Sequence, residues 1–202
     1  MNDIVEPKSE LKSPIQMRTS RQSTLELIDL ANLIKSKTEK RINFIEVGVY
    51  SGESTRIFLD NLDIGIYYAI DPWKTGYDDL DQASSTDMCE VERIFDNNIL
   101  KRYENVVKFK GTLDEFSQTT FKSIDIVYID ANHQYDFVKS DMLKTIRDIR
   151  PSIAICGHDF MWQGVQRAIF EIIGVPDAVY GLASWVKFLG QYAYTPIKGN
   201  IQ

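Results

Sequence analysis

Cysteine is scarce in this sequence, and long apolar runs are absent. The 202 residues include only Cys89 and Cys156, which stand far apart and in no CxxC or zinc-ligand spacing. A disulfide framework is therefore not expected, which fits a reducing compartment. No apolar run approaches the roughly 18 residues of a membrane span, and residues 1–14 lack the apolar core of a signal peptide. We therefore expect a cytoplasmic protein with no membrane partner.

Positive charge is also limited. The chain has 23 Lys and Arg against 29 Asp and Glu, which gives a net charge of -6 and a pI of about 5.0. Proteins that bind a phosphate backbone usually carry a basic patch, and no cluster of Lys and Arg indicates one here. This disfavours nucleic acid as a partner and favours a small neutral or cationic ligand. Whether the chain forms a homo-oligomer stays open.

Residues 1–21 are polar and aperiodic, which is typical of a flexible arm, and residues 22–202 are expected to form a single domain. A helix is predicted after Ser23, which would be its N-cap, with Leu27, Leu30, Ala31 and Ile34 on its apolar face. Further on, strand and helix patterns alternate at least five times. This alternation predicts an α/β fold with a doubly wound, mostly parallel, seven-stranded sheet. The predicted strands are 42–47, 65–70, 106–109, 123–129 and 152–157, followed by an antiparallel pair within 177–195.

Such sheets bind ligands at the carboxyl ends of their strands, and the first of these ends carries a glycine-containing loop. Gly48 and Gly52 permit a tight turn and close approach of the backbone to a ligand. The helix that follows presents free N–H groups, which attract a carboxylate, and the Ser54 hydroxyl lies near them. Glu46, at the strand end, is suited to an ammonium group. Carboxylate and ammonium are the two ends of a methionine moiety.

The next two strand ends supply further candidates for ligand binding. Asp71 ends the second strand, where a carboxylate can accept both hydroxyls of a ribose. Trp73 either offers a flat face to an adenine or a sulfonium or anchors its loop. Gly111 with Thr112 either contacts the adenine edge or forms an ordinary helix start. Residues 73–90 follow no strong period and are interpreted as a lid over the acceptor, with Trp73, Tyr77, Asp78, Asp79 and Asp81.

Both histidines of the chain fall in the two remaining loops. His133 follows Asp130 in the sequence DANHQY, and His158 precedes Asp159 in GHDF. A lone histidine is usually structural, but two histidines in neighbouring strand-end loops, each near an aspartate, indicate a site. His158 has the alternative role of pinning its loop by hydrogen bonding.

Together these residues resemble a known family. EVGVYSGES is similar to motif I of class I, S-adenosylmethionine-dependent methyltransferases, and is closest to the ExGxYxGxS form of catechol O-methyltransferase-like enzymes, which also has a tyrosine where this chain has Tyr50. IDIVYIDANHQYDFVKSDM and AICGHDF resemble blocks of the macrocin (sugar) O-methyltransferase type. The resemblance covers about residues 40–190 and implies a Rossmann-like fold that binds S-adenosylmethionine through the first two loops and Asp130.

The resemblance also implies the chemistry. Asp130 and Asp159 stand where catechol-type relatives bind Mg²⁺, and His133 stands where both types place the catalytic base, which makes His133 and Asp130 the expected catalytic pair. His158 replaces an acid of the sugar enzymes, so a third protein ligand for Mg²⁺ is not evident. The expected reaction is in-line methyl transfer to a small-molecule hydroxyl, with His133 titrating near its ordinary pKa of about 6.5.

Other functions remain open at this stage. An NAD-dependent or nucleotide-sugar enzyme on a similar sheet would explain Asp71, although the GxGxxG spacing is absent. A non-catalytic module that binds S-adenosylmethionine would explain the loops but would not need His133. A nucleic-acid methyltransferase is disfavoured because the chain has neither a basic face nor an NPPY-type motif.

Overall fold

The computed structural model describes residues 21–181 and 183–193. The predicted N-terminal arm therefore lies outside the described residues, except for Arg21, which begins the first helix, α1 (Arg21–Lys37). The prediction of Ser23 as N-cap was wrong, because the helix starts two residues earlier and Ser23 lies within its first turn. The predicted apolar face of α1 is confirmed, since all four of its residues are buried.

Seven strands form one sheet, and its predicted architecture is confirmed. The strand order is β3-β2-β1-β4-β5-β7-β6, with β1 to β5 parallel and β7 antiparallel to both β5 and β6. The order reverses between β1 and β4, which is the switch point where such sheets bind ligands. The strands are β1 (Ile42–Val47), β2 (Ile64–Asp71), β3 (Val106–Lys110), β4 (Ile126–Ile129), β5 (Ala154–Gly157), β6 (Ala178–Tyr180) and β7 (Ser184–Phe188).

Strand β4 is shorter than the predicted run 123–129. The carboxylate of Asp125 accepts hydrogen bonds from the backbone N of Asn43 (2.9 Å) and from Lys40 Nζ (2.5 Å). Because this side chain takes a backbone donor of the neighbouring strand, regular pairing begins only at Ile126. The carboxyl end of the strand, which matters for the site, lies where it was predicted.

Five further helices connect the strands: α2 (Glu53–Asn61), α3 (Met88–Phe95), α4 (Leu113–Ser117), α5 (Tyr135–Lys144) and α6 (Gln163–Ile172). Single π-helical turns extend α3 over Asp96–Leu100 and α5 over Thr145–Ile149, and short 3₁₀ turns cover Gln82–Ser85 and Gly190–Tyr192. The π-helical turn after α5 changes the face that the last residues present. Ile149 is buried, whereas Ile146 is 40% exposed.

Two apolar cores lie on opposite faces of the sheet. Helices α1, α2 and α3 pack on the face that carries Phe44, Tyr67 and Tyr128. Helices α4, α5 and α6 pack on the face that carries Ile45 and Val127. Because both faces are covered, the exposed carboxyl edge of the parallel strands is where a ligand can enter. No helix among the described residues is long and apolar enough to cross a membrane.

Candidate active site

A cavity of about 320 Å³ opens at the carboxyl ends of β1, β2, β4 and β5, and α1 borders it through Ser23 and Leu27. Its size is that of a small-molecule site. Twelve residues were proposed from the sequence to bind the cofactor or a metal or to act in catalysis, and seven of them line it: Gly48, Tyr50, Ser54, Asp71, Asp130, His133 and Asp159. Five others do not line it: Glu46, Gly52, Trp73, Gly111 and Thr112.

The two glycines after β1 are required by the protein's own packing. Both adopt a φ of 88°, in the left-handed region. A Cβ on Gly48 would lie 2.0 Å from the backbone oxygen of Asp130, and a Cβ on Gly52 would lie 2.4 Å from the Ile99 side chain. The β4 loop and the turn after α3 therefore leave no room for a side chain at either glycine. Gly48 also lines the cavity, so its predicted close approach to a ligand stays a prediction.

Glu46 is not among the residues that line the cavity, and its expected contact with an ammonium group stays a prediction. It is fully buried, and its carboxylate accepts hydrogen bonds from Tyr67 Oη (2.7 Å) and from Thr55 Oγ1. Burial raises its pKa to about 7, against the opposing effect of hydrogen bonds from Ser54, Thr55 and Tyr67. In this arrangement Glu46 joins β1 to β2 and α2.

Asp71 connects the loops after β1 and β2. Its two oxygens accept hydrogen bonds from the backbone N of Tyr50 (2.9 Å) and of Trp73 (2.6 Å). Burial raises the pKa of its carboxyl, although these backbone bonds oppose the shift. Asp71 also lines the cavity, so it is placed to contact a ligand, and its contact with a ribose stays a prediction. The structure adds a second role, since Asp71 holds the two loops together.

Trp73 was expected either to present its ring to the ligand or to anchor its loop, and the structure places its side chain in the core. Its side chain is 3% exposed, packs against Phe95 with ring centroids 5.2 Å apart, and donates from Nε1 to the backbone oxygen of Tyr50 (2.9 Å). Lys108 Nζ lies 4.8 Å from the centroid of the Trp73 ring. A buried indole with its N–H satisfied is an anchor for the loop that follows β2.

Gly111 and Thr112 also lie outside the cavity. The Gly111 backbone N donates to the backbone oxygen of Asp71 (3.0 Å), and Thr112 is the N-cap of α4 in a capping box with Glu115. Their predicted contact with adenine therefore has no support from the cavity as described, and their hydrogen bonds account for both residues structurally.

The ends of β4 and β5 bring Asp130, His133, His158 and Asp159 together. His133 Nε2 lies 2.7 Å from Asp159 Oδ2, and His158 Nδ1 lies 3.2 Å from the same oxygen. The other ring nitrogen of His133, Nδ1, lies 2.6 Å from Asp78 Oδ2. The two strand-end loops predicted to cooperate therefore do so, and a third loop joins them through Asp78.

The surrounding carboxylates favour the charged form of both imidazoles. Burial alone would lower the pKa of His133, but the hydrogen bond and charge of Asp159, with Asp130 and Asp78, raise it to about 9. Asp130 and Asp159 raise the pKa of His158 to about 9 in the same way, again against burial. His133 is thus an imidazolium at neutral pH, and its expected titration near 6.5 is corrected. Burial opposes ionisation of Asp159 too, but the two histidines hold its pKa well below its usual range.

The donor set suits a divalent cation in part. Asp130, His133 and Asp159 each offer one ligand atom, and these atoms lie within 4.8 Å of one another. Two carboxylate oxygens are ligands that Mg²⁺ prefers, whereas an imidazole nitrogen is more usual for a transition metal. The sequence left the third ligand unidentified, and the fold brings His133 into reach as that donor. Nothing in the local sequence separates this role from that of a base.

Two buried polar atoms on the cavity residues have no partner among the described residues. They are Ser51 Oγ, in the loop after β1, and His158 Nε2, at the end of β5. Buried polar groups are normally hydrogen-bonded, so these atoms indicate contacts with a ligand or with water. The backbone of His158 is held independently of its ring, because its N donates to Ile129 O (3.1 Å) and its O accepts from Trp185 Nε1 (3.2 Å). The alternative role of the His158 side chain as a loop pin stays a prediction.

Backbone strain is concentrated around the same cavity. Four non-glycine residues of the described part adopt a positive φ, and three of them lie in strand-end loops: Tyr50 (49°), Trp73 (39°) and Asp159 (54°); the fourth, Arg150 (56°), ends the π-helical turn after α5. Residues other than glycine seldom adopt this region, and such conformations persist where the surrounding structure enforces them, often at functional sites. Each of the three lies in a loop that follows a strand of the parallel sheet.

Residues 73–90, the lid segment, form one wall of the cavity, and their role as a lid over the acceptor stays a prediction. Tyr77, Asp78 and Asp81 line it, whereas Asp79 is exposed and does not. The segment is attached to the β4 loop by Asn132 Nδ2, which donates to Tyr77 O (2.9 Å), and by Asp78. The sequence placed Asp78 on the lid but gave no sign that it contacts His133, because the two residues are 55 positions apart.

Comparison with known proteins agrees with this geometry. A protein family described as "Methyltransferase domain" matches residues 45–160, a segment that contains the loops after β1 to β5. No curated protein matches the chain significantly by sequence.

Solved structures resemble the chain at low sequence identity. A caffeoyl-CoA O-methyltransferase, so described, from Staphylococcus aureus aligns with a TM-score of 0.58 at 15% identity, over 82% of this chain and 83% of that one. CalS11, a TDP-rhamnose 3'-O-methyltransferase of calicheamicin biosynthesis, aligns with a TM-score of 0.56 at 15% identity, over 85% and 82%. An O-methyltransferase from Bacillus cereus in complex with SAH aligns with a TM-score of 0.51 at 15% identity, over 84% of this chain and 91% of that one. At this identity the likeness supports the fold.

Proposed function

Because the chain belongs to the methyltransferase-domain family, we propose that it transfers the methyl group of S-adenosylmethionine to a hydroxyl oxygen of a small-molecule acceptor. The observation that carries the proposal is the cluster at the ends of β4 and β5, where His133 lies between Asp78 and Asp159 at the wall of the cavity. A catalytic histidine needs such fixed partners, because its ring must keep one orientation toward the reacting hydroxyl.

The cofactor half of the cavity is the part lined by Gly48, Tyr50, Ser54 and Asp71. The first turn of α2 begins at Glu53 with Gly52 as N-cap and no side-chain cap, so its backbone N–H groups can bind the methionine carboxylate. Asp71 would accept the ribose hydroxyls. S-adenosylmethionine supplies a methyl group on a sulfonium that is itself the leaving group, so the protein mainly positions the acceptor and removes its proton.

Charge defines which acceptors fit. Among the described residues that line the cavity there is no Lys or Arg, and its positive charge comes from the imidazoles of His133 and His158. The carboxylates that line it are Glu53, Asp71, Asp78, Asp81, Asp130 and Asp159. Such a lining favours neutral or cationic hydroxyl compounds and disfavours phosphate-bearing ones, such as the TDP-sugar named for CalS11 or a nucleic acid. We expect neither nucleic acid nor membrane as a partner and leave a homo-oligomer open.

His133 is the proposed proton acceptor. Its imidazole is charged in the chain without ligands, and only the neutral ring can take a proton. A positive charge brought into the cavity, such as the sulfonium, lowers the pKa of His133 toward neutrality. General-base catalysis of this kind contributes on the order of 10²–10⁴-fold.

A divalent cation is the proposed second cofactor, held by Asp130 and Asp159. It would lower the pKa of the acceptor hydroxyl and orient it. The two carboxylates end neighbouring strands and approach within the span of a metal site.

Binding of S-adenosylhomocysteine tests the cofactor assignment. At 100 times its dissociation constant, a ligand stabilises the native state by about 2.7 kcal/mol. For a domain of this size that corresponds to a rise in Tm of about 5–10 °C. NAD⁺ is the matched control, since it shares the adenosine moiety but should leave Tm unchanged. A rise with NAD⁺ and none with S-adenosylhomocysteine would support the dehydrogenase alternative instead.

Turnover distinguishes an enzyme from a binding module. Methyl-labelled S-adenosylmethionine incubated with pooled hydroxyl metabolites should give a methylated product by mass spectrometry. His133→Ala should lower its rate by about 10²-fold or more, while the affinity for S-adenosylhomocysteine changes little. Unchanged turnover in this variant would remove His133 as the base.

A further inference from the structure

Asp78 is a buried carboxylate in the lid segment that contacts the loop after β4. It is 5% exposed, and its Oδ2 accepts from both the backbone N (2.9 Å) and the ring Nδ1 (2.6 Å) of His133. Its Oδ1 accepts from the backbone N of Leu80 (2.9 Å), and its own N donates to Ser84 Oγ (2.8 Å). These contacts within the lid segment hold the Asp78 carboxylate in place independently of its contact with His133.

The ring of His133 is held on three sides. Nδ1 faces Asp78, Nε2 faces Asp159 (2.7 Å), and Trp162 stacks on the ring with centroids 5.0 Å apart and planes at 28°. Asp159 and Trp162 belong to the segment that follows β5. Asp78 alone among these partners lies in the lid segment.

We propose that Asp78 is a positioning residue that makes docking of the lid and orientation of the His133 ring a single event. When the lid closes over the acceptor, Asp78 captures Nδ1 and directs Nε2 toward the cavity; when the lid opens, the ring loses that restraint. A carboxylate on the far nitrogen of a working imidazole fixes its tautomer and orientation. The inference rests on the proposed function only for the action of His133 on the acceptor.

Nuclear magnetic resonance of the full chain labelled with ¹⁵N-histidine tests the orientation. The protein has only two histidines, so His158→Gln assigns both rings. At pH 7 in EDTA, His133 Nδ1–H should give a slowly exchanging downfield proton, because short bonds to a buried carboxylate have that signature. Asp78→Ala should abolish this signal. Asp78→Asn, which keeps an acceptor oxygen, should retain it at a higher field.

Amide hydrogen exchange of the same samples tests the coupling. Asp78→Ala should accelerate exchange across residues 73–90 and 130–135 by about tenfold or more, since charge-assisted bonds between the two segments are lost. His133→Gln should accelerate exchange of the lid in the same way, because Asp78 loses its ring partner. Asp79→Ala is the matched control: its side chain is exposed and outside the cavity, so it should change neither measurement.

Each outcome decides the proposal. A His133 signal that survives Asp78→Ala would overturn the positioning role, and lid exchange that is unchanged in both Asp78→Ala and His133→Gln would overturn the coupling. If Asp78→Ala does not fold, Asp78→Asn decides, because an unshifted His133 proton there excludes the charge-assisted bond. Once an acceptor is identified, Asp78→Ala should lower kcat by about tenfold or more and leave KM for S-adenosylmethionine within about threefold. Failure to bind S-adenosylhomocysteine would refute the proposed function and leave these spectroscopic results standing.

Discussion

The raised pKa of His133 predicts how stability depends on pH. In the folded chain its pKa is about 9, against 6.5 for an ordinary histidine. Between these values the native state keeps a proton that the unfolded state releases, so the free energy of unfolding falls as pH rises. The contribution is fully present below pH 6.5 and is lost by about pH 9. At 1.36 kcal/mol for each tenfold change in proton affinity, it amounts to at most about 3 kcal/mol.

Urea denaturation in EDTA, at intervals from pH 6.5 to 9, measures this contribution in the wild type and in His133→Gln. The carboxyls of Glu46 and Asp141, whose pKa values burial raises to about 7, also titrate in this range. They are present in both proteins, so their effect cancels in the difference. The measured quantity is the free energy of unfolding of the wild type minus that of the variant. This difference should be larger at pH 6.5 than at pH 9, by up to about 3 kcal/mol.

His158→Gln is the parallel control, because His158 contacts the same Asp159 oxygen and its pKa is also raised to about 9. Its removal takes a positive charge from the cluster and should alter the His133 contribution, so the two substitutions should not be additive. If the stability difference between wild type and His133→Gln stays constant across the range, the imidazole does not hold the extra proton. The electrostatic account of the cluster would then be refuted.

Further substitutions and metal removal test the loops and the cation site. Gly48→Ala should lower the free energy of unfolding by about 3 kcal/mol or more, because its Cβ would lie 2.0 Å from the Asp130 oxygen at a φ of 88°. Gly76→Ala is the control: its φ is 73° but nothing lies within 4 Å of the added Cβ, so it should cost only about 1 kcal/mol. Chemical denaturation measures both losses. Trp73→Phe should lower Tm but leave the affinity for S-adenosylhomocysteine within about twofold by calorimetry, since the indole is outside the cavity; a large loss of affinity would return Trp73 to the ligand site. EDTA should reduce turnover and Mn²⁺ or Mg²⁺ should restore it, and full activity in EDTA would mean that Asp130 and Asp159 act as hydrogen-bond acceptors only.

The sequence by itself determined the sheet and the position of the site along the chain. Short apolar runs alternating with amphipathic helices predict a doubly wound sheet, because each strand must be buried on both faces. The ends of those runs located Asp71, Asp130 and Asp159 at one edge, since parallel strands end on the same side. These inferences need only local periodicity and the direction of the chain, both of which can be read from the sequence.

Only the tertiary structure decided which of those residues face the cavity. Glu46 and Trp73 follow the motif but turn into the core, because Tyr67 and Phe95, distant in sequence, complete their surroundings. Position 48 must be glycine because the Asp130 carbonyl, which follows a neighbouring strand, leaves no room for a Cβ. Such contacts depend on which strands are neighbours, and no spacing within a single loop reports that.

The protonation of His133 was beyond the sequence for the same reason. An imidazole titrates according to the charges within a few ångströms. Asp130 is near His133 in the sequence, but the other charges come from Asp159, 26 positions away, and Asp78, 55 positions away. The sequence identified the histidine and one of its acidic neighbours. The fold supplied the second carboxylate, raised the pKa and joined the lid to the site, because electrostatics and hydrogen bonding follow distance in space and not distance along the chain.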